Sequence, residues 1–426
     1  MPHHVTAVHP ARPDLRRRLR HSFGTAIALV MALHPLTTVA QEVGVSPDSI
    51  KLGSVLVLEG DASGLGQGMK LGLETALKGH TVQNRSIEVT YLNDFYDPQT
   101  TVQQTQKLID EGIFAMIGNV GTPTARVALP LLAKNAVPAV GFFTGAGLLR
   151  PGEGDVINYR ASYVQEVSAV IGAALQAGLA PAEICAYVQN DAYGMAGIAG
   201  VINAFDGIAE AQDIIATLTE LMQMEGEHPE RNYIGPVGVY QRNTMIARDG
   251  HDSLKVWEEI SNYSCRLVVT VGAYTPIAQF VGYARSKGDN WITSAVSFTG
   301  AFNLRDALAE NGIQDKVIMT QVVPPLDSQL PIIQKARAEL QDNLSYVSLE
   351  GYIVGRMFLH LMDNINGAIT RQNFLSTVQG KRYVLDGLSL DFTDDNQASD
   401  LVTLTLLSGS QYQVIDPDQL KQIFTQ

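Results

Sequence analysis

The chain has 426 residues, a formal net charge of −13 and two cysteines. Residues 1–40 hold five of its arginines and one acidic residue, so the remainder carries a net charge of about −17. Such an acidic chain is a poor partner for nucleic-acid phosphates or anionic membrane surfaces, and we expect neither partner. Its length suits two domains of ordinary size.

The first forty residues have the pattern of an export signal. An arginine cluster at 16–20 precedes an apolar run at 23–33, and small residues occupy 38–40. This order is typical of a secretory signal peptide. The apolar run is too short for a membrane-spanning helix, which needs about 20 residues. We therefore predict a signal peptide at 1–40, cleaved near Ala40, and a periplasmic location. The export route, general or twin-arginine, stays open.

Strand-like and helix-like segments alternate after residue 40. Asp97 and Thr122 each precede a proline, which predicts a helix N-cap followed by a first-turn proline. Alternation with short loops implies a parallel sheet covered by helices on both faces. The predicted strands of this first unit are 50–58, 86–93, 115–120, 137–143 and 156–160.

The same alternation then begins again. A polar, methionine-rich segment at 218–229 interrupts it and is predicted as a loop insertion. The sequence thus predicts an α/β fold with two doubly wound parallel-sheet lobes in series. The predicted strands of the second unit are 184–189, 235–240, 266–272, 291–297 and 317–323.

Ligands of such sheets bind at the carboxyl ends of the strands. The loops there are rich in glycine, threonine and aromatic residues and poor in histidine, lysine and cysteine. A glycine-rich turn at 64–68 lacks the third glycine of a dinucleotide loop, and hydrolase and zinc patterns are absent from the sequence. We therefore predict no catalytic residues, no cofactor and no metal. The predicted loops are 59–63, 121–124, 144–148, 190–194, 273–276 and 298–301.

The two cysteines leave two alternatives. Cys185 and Cys265 each begin an apolar strand-like segment. Buried free thiols are the more common state at such positions, and we expect them here. An exported chain also permits a disulfide, which stays the alternative.

Five motifs in chain order carry a family resemblance: IGNVGTPT at 117–124, VPAVGFFTGA at 137–146, YRASYVQE at 159–166, QNDAYG at 189–194 and SYVSLEGY at 345–352. Together they resemble the type I periplasmic solute-binding proteins of ABC transporters, in the leucine/branched-chain amino-acid receptor family. The resemblance covers nearly all of 45–415.

The resemblance implies a fold and a function. Two lobes, 41–162 plus 323–384 and 163–322 plus 385–426, are joined by a three-strand hinge. They close around a small solute, such as an amino acid, amide, carboxylate or aromatic molecule, which is delivered to a membrane permease. The chain is expected to be a monomer and not an enzyme. The alternative is a sensing module that reports ligand to a membrane signalling partner.

The resemblance also implies the residues that bind the ligand. On the first lobe, the hydroxyls of Thr122, Thr124 and Thr144 and the end of the helix at Thr122 are expected to hold its polar end. Phe143 is expected to line the cleft wall.

The second lobe is expected to close over the body of the ligand. Tyr193 and Tyr274 supply the aromatic surface, and Tyr163 reaches the cleft from the crossing between the lobes. The family's amino-acid receptors place an acidic partner for the ligand's ammonium group after the fourth strand of the second lobe, where this sequence reads Ser297-Phe298-Thr299-Gly300 and that partner is missing. That departure opens the choice of ligand to a carboxylate without an amine, an aromatic or other apolar solute, or a cation held by Glu59 or Asp61 instead.

Overall fold

The computed structural model describes residues 42–425, so the predicted signal peptide lies outside the described residues. Two α/β lobes are present, each built on one sheet, as predicted. The elements of the first lobe up to the first crossing are β1 (Ser49–Leu56), α1 (Ser63–Leu77), β2 (Thr81–Val82), β3 (Arg85–Asn93), α2 (Pro98–Asp110), β4 (Ala115–Ile117), α3 (Thr122–Lys134), β5 (Ala139–Val140) and β6 (Val156–Ile157).

The second lobe follows with the same alternation of strand and helix. Its elements are α4 (Tyr163–Gln176), β7 (Ile184–Gln189), α5 (Ala192–Phe205), α6 (Gln212–Gln223), β8 (Val237–Tyr240), α7 (Ala247–Ser261), β9 (Leu267–Val271), α8 (Tyr274–Ser286), β10 (Ile292–Ala295), α9 (Ala301–Ala309) and β11 (Val317–Gln321).

The chain then returns to the first lobe and crosses back once more. α10 (Pro331–Leu340), α11 (Tyr346–Asp363), α12 (Arg371–Ser376) and the hairpin of β12 (Arg382–Leu385) and β13 (Leu388–Asp391) belong with the first lobe. β14 (Thr403–Ser408) and β15 (Gln411–Val414) extend the second sheet, and α13 (Pro417–Thr425) packs on α4.

Both sheets have the same strand order around their first strand. β1 pairs in parallel with β3 and β4, and β7 pairs in parallel with β8 and β9. The full orders are β2-β3-β1-β4-β5-β6 and β15-β14-β11-β10-β9-β7-β8, with antiparallel pairing only where β2, β14 and β15 join. The order reverses beside β1 and beside β7, and crevices for ligands open at such points.

The chain crosses between the lobes after β6, after β11 and after β13. The first and third crossings run side by side, since the Asn158 N–H donates to Asn396 O (2.8 Å) and the Ala398 N–H donates to Asn158 O (3.0 Å). The lobe boundary predicted at 384/385 falls inside β12, so we place the third crossing after Asp391; the lobe division itself stays a proposal.

Close helix packing fixes α11 on the first lobe. A Cβ atom on Gly72 of α1 would lie 2.1 Å from Ser348 O, and one on Gly351 of α11 would lie 2.5 Å from Met69 O. Only glycine permits this approach, which brings the two helix backbones together. Glu350, next to Gly351, is thereby placed in the interior.

Two sequence predictions about the second lobe are wrong. Residues 218–223 of the expected loop insertion belong to α6, because Ile214, Leu218 and Leu221 are buried at helical spacing. Cys185 and Cys265 form a disulfide and are not free thiols. Cys185 lies at the start of β7 and Cys265 two residues before the neighbouring parallel strand β9, which brings their Cα atoms within 5.8 Å. Within 42–425, no helix is both long and apolar enough to cross a membrane.

Candidate functional site

The carboxyl ends of the strands of both sheets meet across a cleft. From the first lobe, Asp61 O accepts a hydrogen bond from Thr275 Oγ1 of the second lobe (2.9 Å). The Gly64 N–H donates to the Tyr274 hydroxyl across the same gap (3.3 Å). The lobes are thus in direct contact at the place where parallel sheets bind ligands.

Four of the predicted site residues form one aromatic cluster, which we define as Phe143, Tyr163, Tyr193 and Phe298. The ring centroids of Tyr193 and Phe298 are 4.8 Å apart, and both Phe143–Phe298 and Tyr163–Tyr193 are 5.2 Å apart. All four side chains are buried, and burial raises the pKa of Tyr163 to about 12. Phe298, in the stretch 297–300 where the resemblance leads one to expect an acidic ligand partner, therefore packs its ring into this cluster.

The threonines lie beside this cluster, but their hydroxyls already have partners. The hydroxyls of Thr122 and Thr144 are 2.6 Å apart, and both residues are fully buried. Thr124 Oγ1 donates to Val120 O (2.7 Å). The structure thus brings the three threonines together with their hydroxyls directed to one another or to the backbone.

Thr122 is not the helix N-cap that the sequence predicted. Gly121 occupies the cap position, Thr122 is the first helical residue, and no side chain caps this end. Gly121 has a φ of 113°, and a Cβ atom there would lie 2.4 Å from Tyr96 Cε2. A glycine is needed because the chain turns into α3 directly against that ring.

A cavity of about 240 Å³ lies between the lobes, beside the aromatic cluster. Of the nine predicted site residues, only Glu59 lines it; Tyr274 lies next to its lining residues Ala273 and Pro276. The remaining lining residues lie at or just after the carboxyl ends of strands in both lobes: Gly60, Asp61, Ala62, Phe95, Tyr96, Gln189, Tyr240, Arg242, Asn243 and Met245.

Tyr96 links the two lobes at the floor of this cavity. Its hydroxyl accepts a hydrogen bond from Gln189 Nε2 (3.4 Å), and Gln189 Oε1 accepts one from the Tyr240 hydroxyl (3.2 Å). Phe95 and Tyr96 have φ values of 55° and 60°, a conformation that non-glycine residues rarely adopt. The loop holds it because Asp94 Oδ1 accepts a hydrogen bond from the Tyr96 N–H (2.9 Å).

Sequence reasoning missed Tyr96, Gln189, Tyr240 and Arg242. The signal was present, because 94–96 and 241–243 follow the predicted strands 86–93 and 235–240, and Gln189 and Tyr240 end the predicted strands 184–189 and 235–240. Those two loops were not among the predicted ligand loops. The rule that ligands lie at strand ends applies to them equally.

A buried ion cluster joins the lobes at the first crossing. Arg160 Nη2 lies 3.5 Å from Glu166 Oε1, and Arg160 Nη1 lies 3.6 Å from Glu350 Oε1. The Glu166 carboxylate accepts hydrogen bonds from the Ser297 N–H (2.7 Å) and Oγ (3.0 Å) and from Thr320 Oγ1. Glu350 Oε1 has no hydrogen-bond partner among the described residues, and burial raises the pKa of Glu350 to about 7.

Arg160 also connects this cluster to the aromatic one. Its guanidinium lies 4.7 Å from the Phe143 ring centroid and 5.8 Å from that of Tyr163. The aromatic cluster, where the two lobes meet, and the buried ion cluster are therefore in contact through Arg160. In the part of the chain that the structure describes, no group of three or more His, Cys, Asp or Glu side chains could hold a metal ion.

Two lobes whose strand ends face a shared cavity are an arrangement suited to binding a small solute. A family model described as periplasmic binding protein matches residues 49–214. A possible leucine/isoleucine/valine-binding protein from Rhodopirellula baltica SH 1 is 32% identical, with a TM-score of 0.76 over 89% of this chain and 99% of that one. The chain belongs to the type I periplasmic binding protein family.

More distant solved structures share the fold. A leucine binding protein from Thermotoga maritima MSB8 is 16% identical, with a TM-score of 0.67 over 86% of this chain and 97% of that one. A solute binding protein of an ABC transporter from R. palustris, in complex with 4-hydroxybenzoate, is 15% identical, with a TM-score of 0.66 over 87% and 97%. No curated protein matches the chain.

Family membership has three consequences. These proteins bind small molecules and are not enzymes, and the family implies a periplasmic location. The aromatic and threonine residues that the sequence singled out lie at one place in the cleft, whereas their contact with a ligand stays a prediction.

Proposed function

We propose that the protein captures a small solute by closing its lobes around it and delivers that solute to an ABC permease. The observation that carries this proposal is the cavity of about 240 Å³ lined by strand-end residues of both lobes. The volume lies below the roughly 300–1,000 Å³ of pockets for drug-sized ligands, which favours a small solute.

The lobes must separate for a solute to enter. Phe143 belongs to the first lobe and Phe298 to the second, so opening separates their rings. We propose that the residues implied by the resemblance form the cleft wall that a solute meets while the lobes are apart, and that Glu59 lies at its rim. That wall consists of Thr122, Thr124, Phe143, Thr144, Tyr163, Tyr193, Tyr274 and Phe298.

The class of solute is narrowed by Phe298. An aromatic ring packed between Phe143 and Tyr193 cannot pair with an ammonium group as a carboxylate would. The proposed cargo is therefore a small molecule that is not held by an ammonium–carboxylate pair at this position. The relative from R. baltica is a possible binder of leucine, isoleucine or valine, which keeps apolar amino acids on the panel of solutes to test.

Mass spectrometry of solutes released from the periplasmic protein tests the capture. We expect one small molecule to co-purify, and its return to refolded, solute-free protein should reduce the radius of gyration in solution scattering. An Ala62→Trp variant places an indole in the cavity and should carry no solute. Ser376→Trp, at an exposed position on α12, is the matched control and should retain it. Binding with an unchanged radius would refute closure.

Delivery and export need separate tests. Cells that lack the protein should lose uptake of the identified solute, and a wild-type copy should restore it; unchanged uptake would contradict a transport role. We further propose that residues 1–40 are removed on export and that the product is a monomer. N-terminal sequencing of the periplasmic protein should begin near Gln41, and scattering should give the mass of one chain.

A further inference from the structure

One cationic side chain lines the cavity between the lobes. Arg242 follows β8, and its side chain is 15% exposed. Its Nη1 donates a hydrogen bond to Tyr96 O in the first lobe (2.6 Å). Its Nε is buried and has no hydrogen-bond partner within 42–425. A buried N–H donor without an acceptor is unfavourable, so a ligand acceptor at this edge would remove the penalty.

Two carboxylates, Asp97 and Asp191, interact with the Arg242 charge, but neither accepts a hydrogen bond from its Nε. Asp191 Oδ2 lies 3.9 Å from Arg242 Nε, beyond hydrogen-bond distance. Its oxygens are bonded to other groups, since Oδ1 accepts from the Tyr193 N–H (2.9 Å) and Oδ2 accepts from Gln189 Nε2 (2.7 Å). Asp191 is thus held in place by other groups and leaves the Nε edge of the guanidinium unbonded.

The other acidic groups of the cavity lie at its exposed rim. Glu59 and Asp61 line the opening but are solvent-exposed, so water and salt screen their charges. A guanidinium that is mostly removed from water interacts more strongly with an anion in contact with it. The rest of the wall is largely apolar or aromatic and includes Ala62, Tyr96, Tyr240 and Met245.

We propose that Arg242 binds a carboxylate group of the solute through its Nε edge, with the apolar body of the solute held between Tyr96 and Tyr240. Arginine suits this role because its planar fork matches a carboxylate with two parallel hydrogen bonds. The subsite rests on the proposed function and assigns its solute class, a small apolar carboxylate. It lies apart from Thr122, where the resemblance places the ligand's polar end.

Acid–amide pairs of equal shape provide the test. Calorimetry on refolded, solute-free protein would compare leucine with leucinamide, isovalerate with isovaleramide, and benzoate with benzamide. We expect at least one acid to bind about tenfold to a hundredfold more tightly than its amide, the range for hydrogen bonds to a charged group. Arg242→Gln should abolish this difference, and Arg242→Lys should retain only part of it.

A second variant separates charge recognition from lobe contact, because Arg242 also bonds to the first lobe. Thr275→Val removes the neutral bond between the lobes to Asp61 O. It should weaken the acid and the amide of a pair equally.

The outcomes distinguish the two proposals. Any of three results would overturn the subsite and leave solute capture standing. These are amides that bind as tightly as their acids, an acid preference that survives in Arg242→Gln, and a co-purified solute without a carboxylate. The absence of any bound or co-purified solute overturns the proposed function, and the subsite with it.

Discussion

Two isosteric substitutions at the hinge should have very different costs, although both remove a buried carboxylate next to Arg160. Glu166 accepts hydrogen bonds from Ser297 and Thr320 in addition to its contact with Arg160. Glu166→Gln removes the charge that balances Arg160 and turns an amide N–H toward groups that donate. Breaking a buried ion pair by removing one partner costs about 3–5 kcal/mol, and we expect that loss in the free energy of unfolding.

Glu350→Gln should cost far less at neutral pH. The pKa of Glu350 is raised from its ordinary value of 4.5 to about 7 by burial, against the lowering effect of Arg160. A substantial fraction of the folded molecules is then already protonated at pH 7, and glutamine resembles that form. We therefore expect a change on the order of 1 kcal/mol or less at pH 7.

The same carboxyl group predicts a pH dependence with a definite sign. Because the pKa of Glu350 is higher in the folded state, its contribution to stability is fully present below about pH 4.5 and is lost as the pH rises through about 7. Across that window the loss is about 3 kcal/mol. Glu350→Gln should lack this component, so the variant should become more stable relative to wild type as the pH increases.

Urea unfolding at several pH values, followed by tryptophan fluorescence, measures both effects. Trp257 and Trp291 lie in the second lobe, which also carries Glu166 on α4. Equal losses for Glu166→Gln and Glu350→Gln at pH 7 would refute the unequal roles of the two carboxylates. An unchanged pH slope in Glu350→Gln would refute the raised pKa.

Three further outcomes are expected. Reduction of the Cys185–Cys265 disulfide, which links positions 80 residues apart, should lower the free energy of unfolding by roughly 4 kcal/mol, and a double serine variant should be insensitive to dithiothreitol in urea titrations. Gly121→Ala should weaken solute binding in calorimetry because its methyl group meets a cavity-wall ring; Gly207→Ala, with a positive φ (77°) but open space, should leave binding unchanged. Thr122→Ala should cost about 1 kcal/mol of stability in urea titrations and keep the preference for the acid over the amide. Loss of that preference would instead indicate that the solute's carboxylate binds at the start of α3.

The sequence by itself determined the alternation of strands and helices in both lobes, but not residues 218–223 of α6 or the strands β12 to β15. Short apolar runs bounded by turn residues favour buried strands, and a cap such as Asp97 marks a helix start through contacts within a few residues. Local signals of this kind depend only on residues within one segment. They also located the strand ends, which is why the predicted threonines and tyrosines do lie at the cleft.

Only the tertiary structure decided the contacts between segments that are far apart in the chain. Phe143 and Phe298 meet because the lobes dock, and Arg242 reaches Tyr96 across 146 residues. The disulfide likewise follows from the pairing of β7 with β9, which the apolar character of each strand does not encode. Long-range contacts depend on how whole lobes pack, so no local pattern shows that a ring stands where an acidic group was expected, or that a guanidinium lines the cavity.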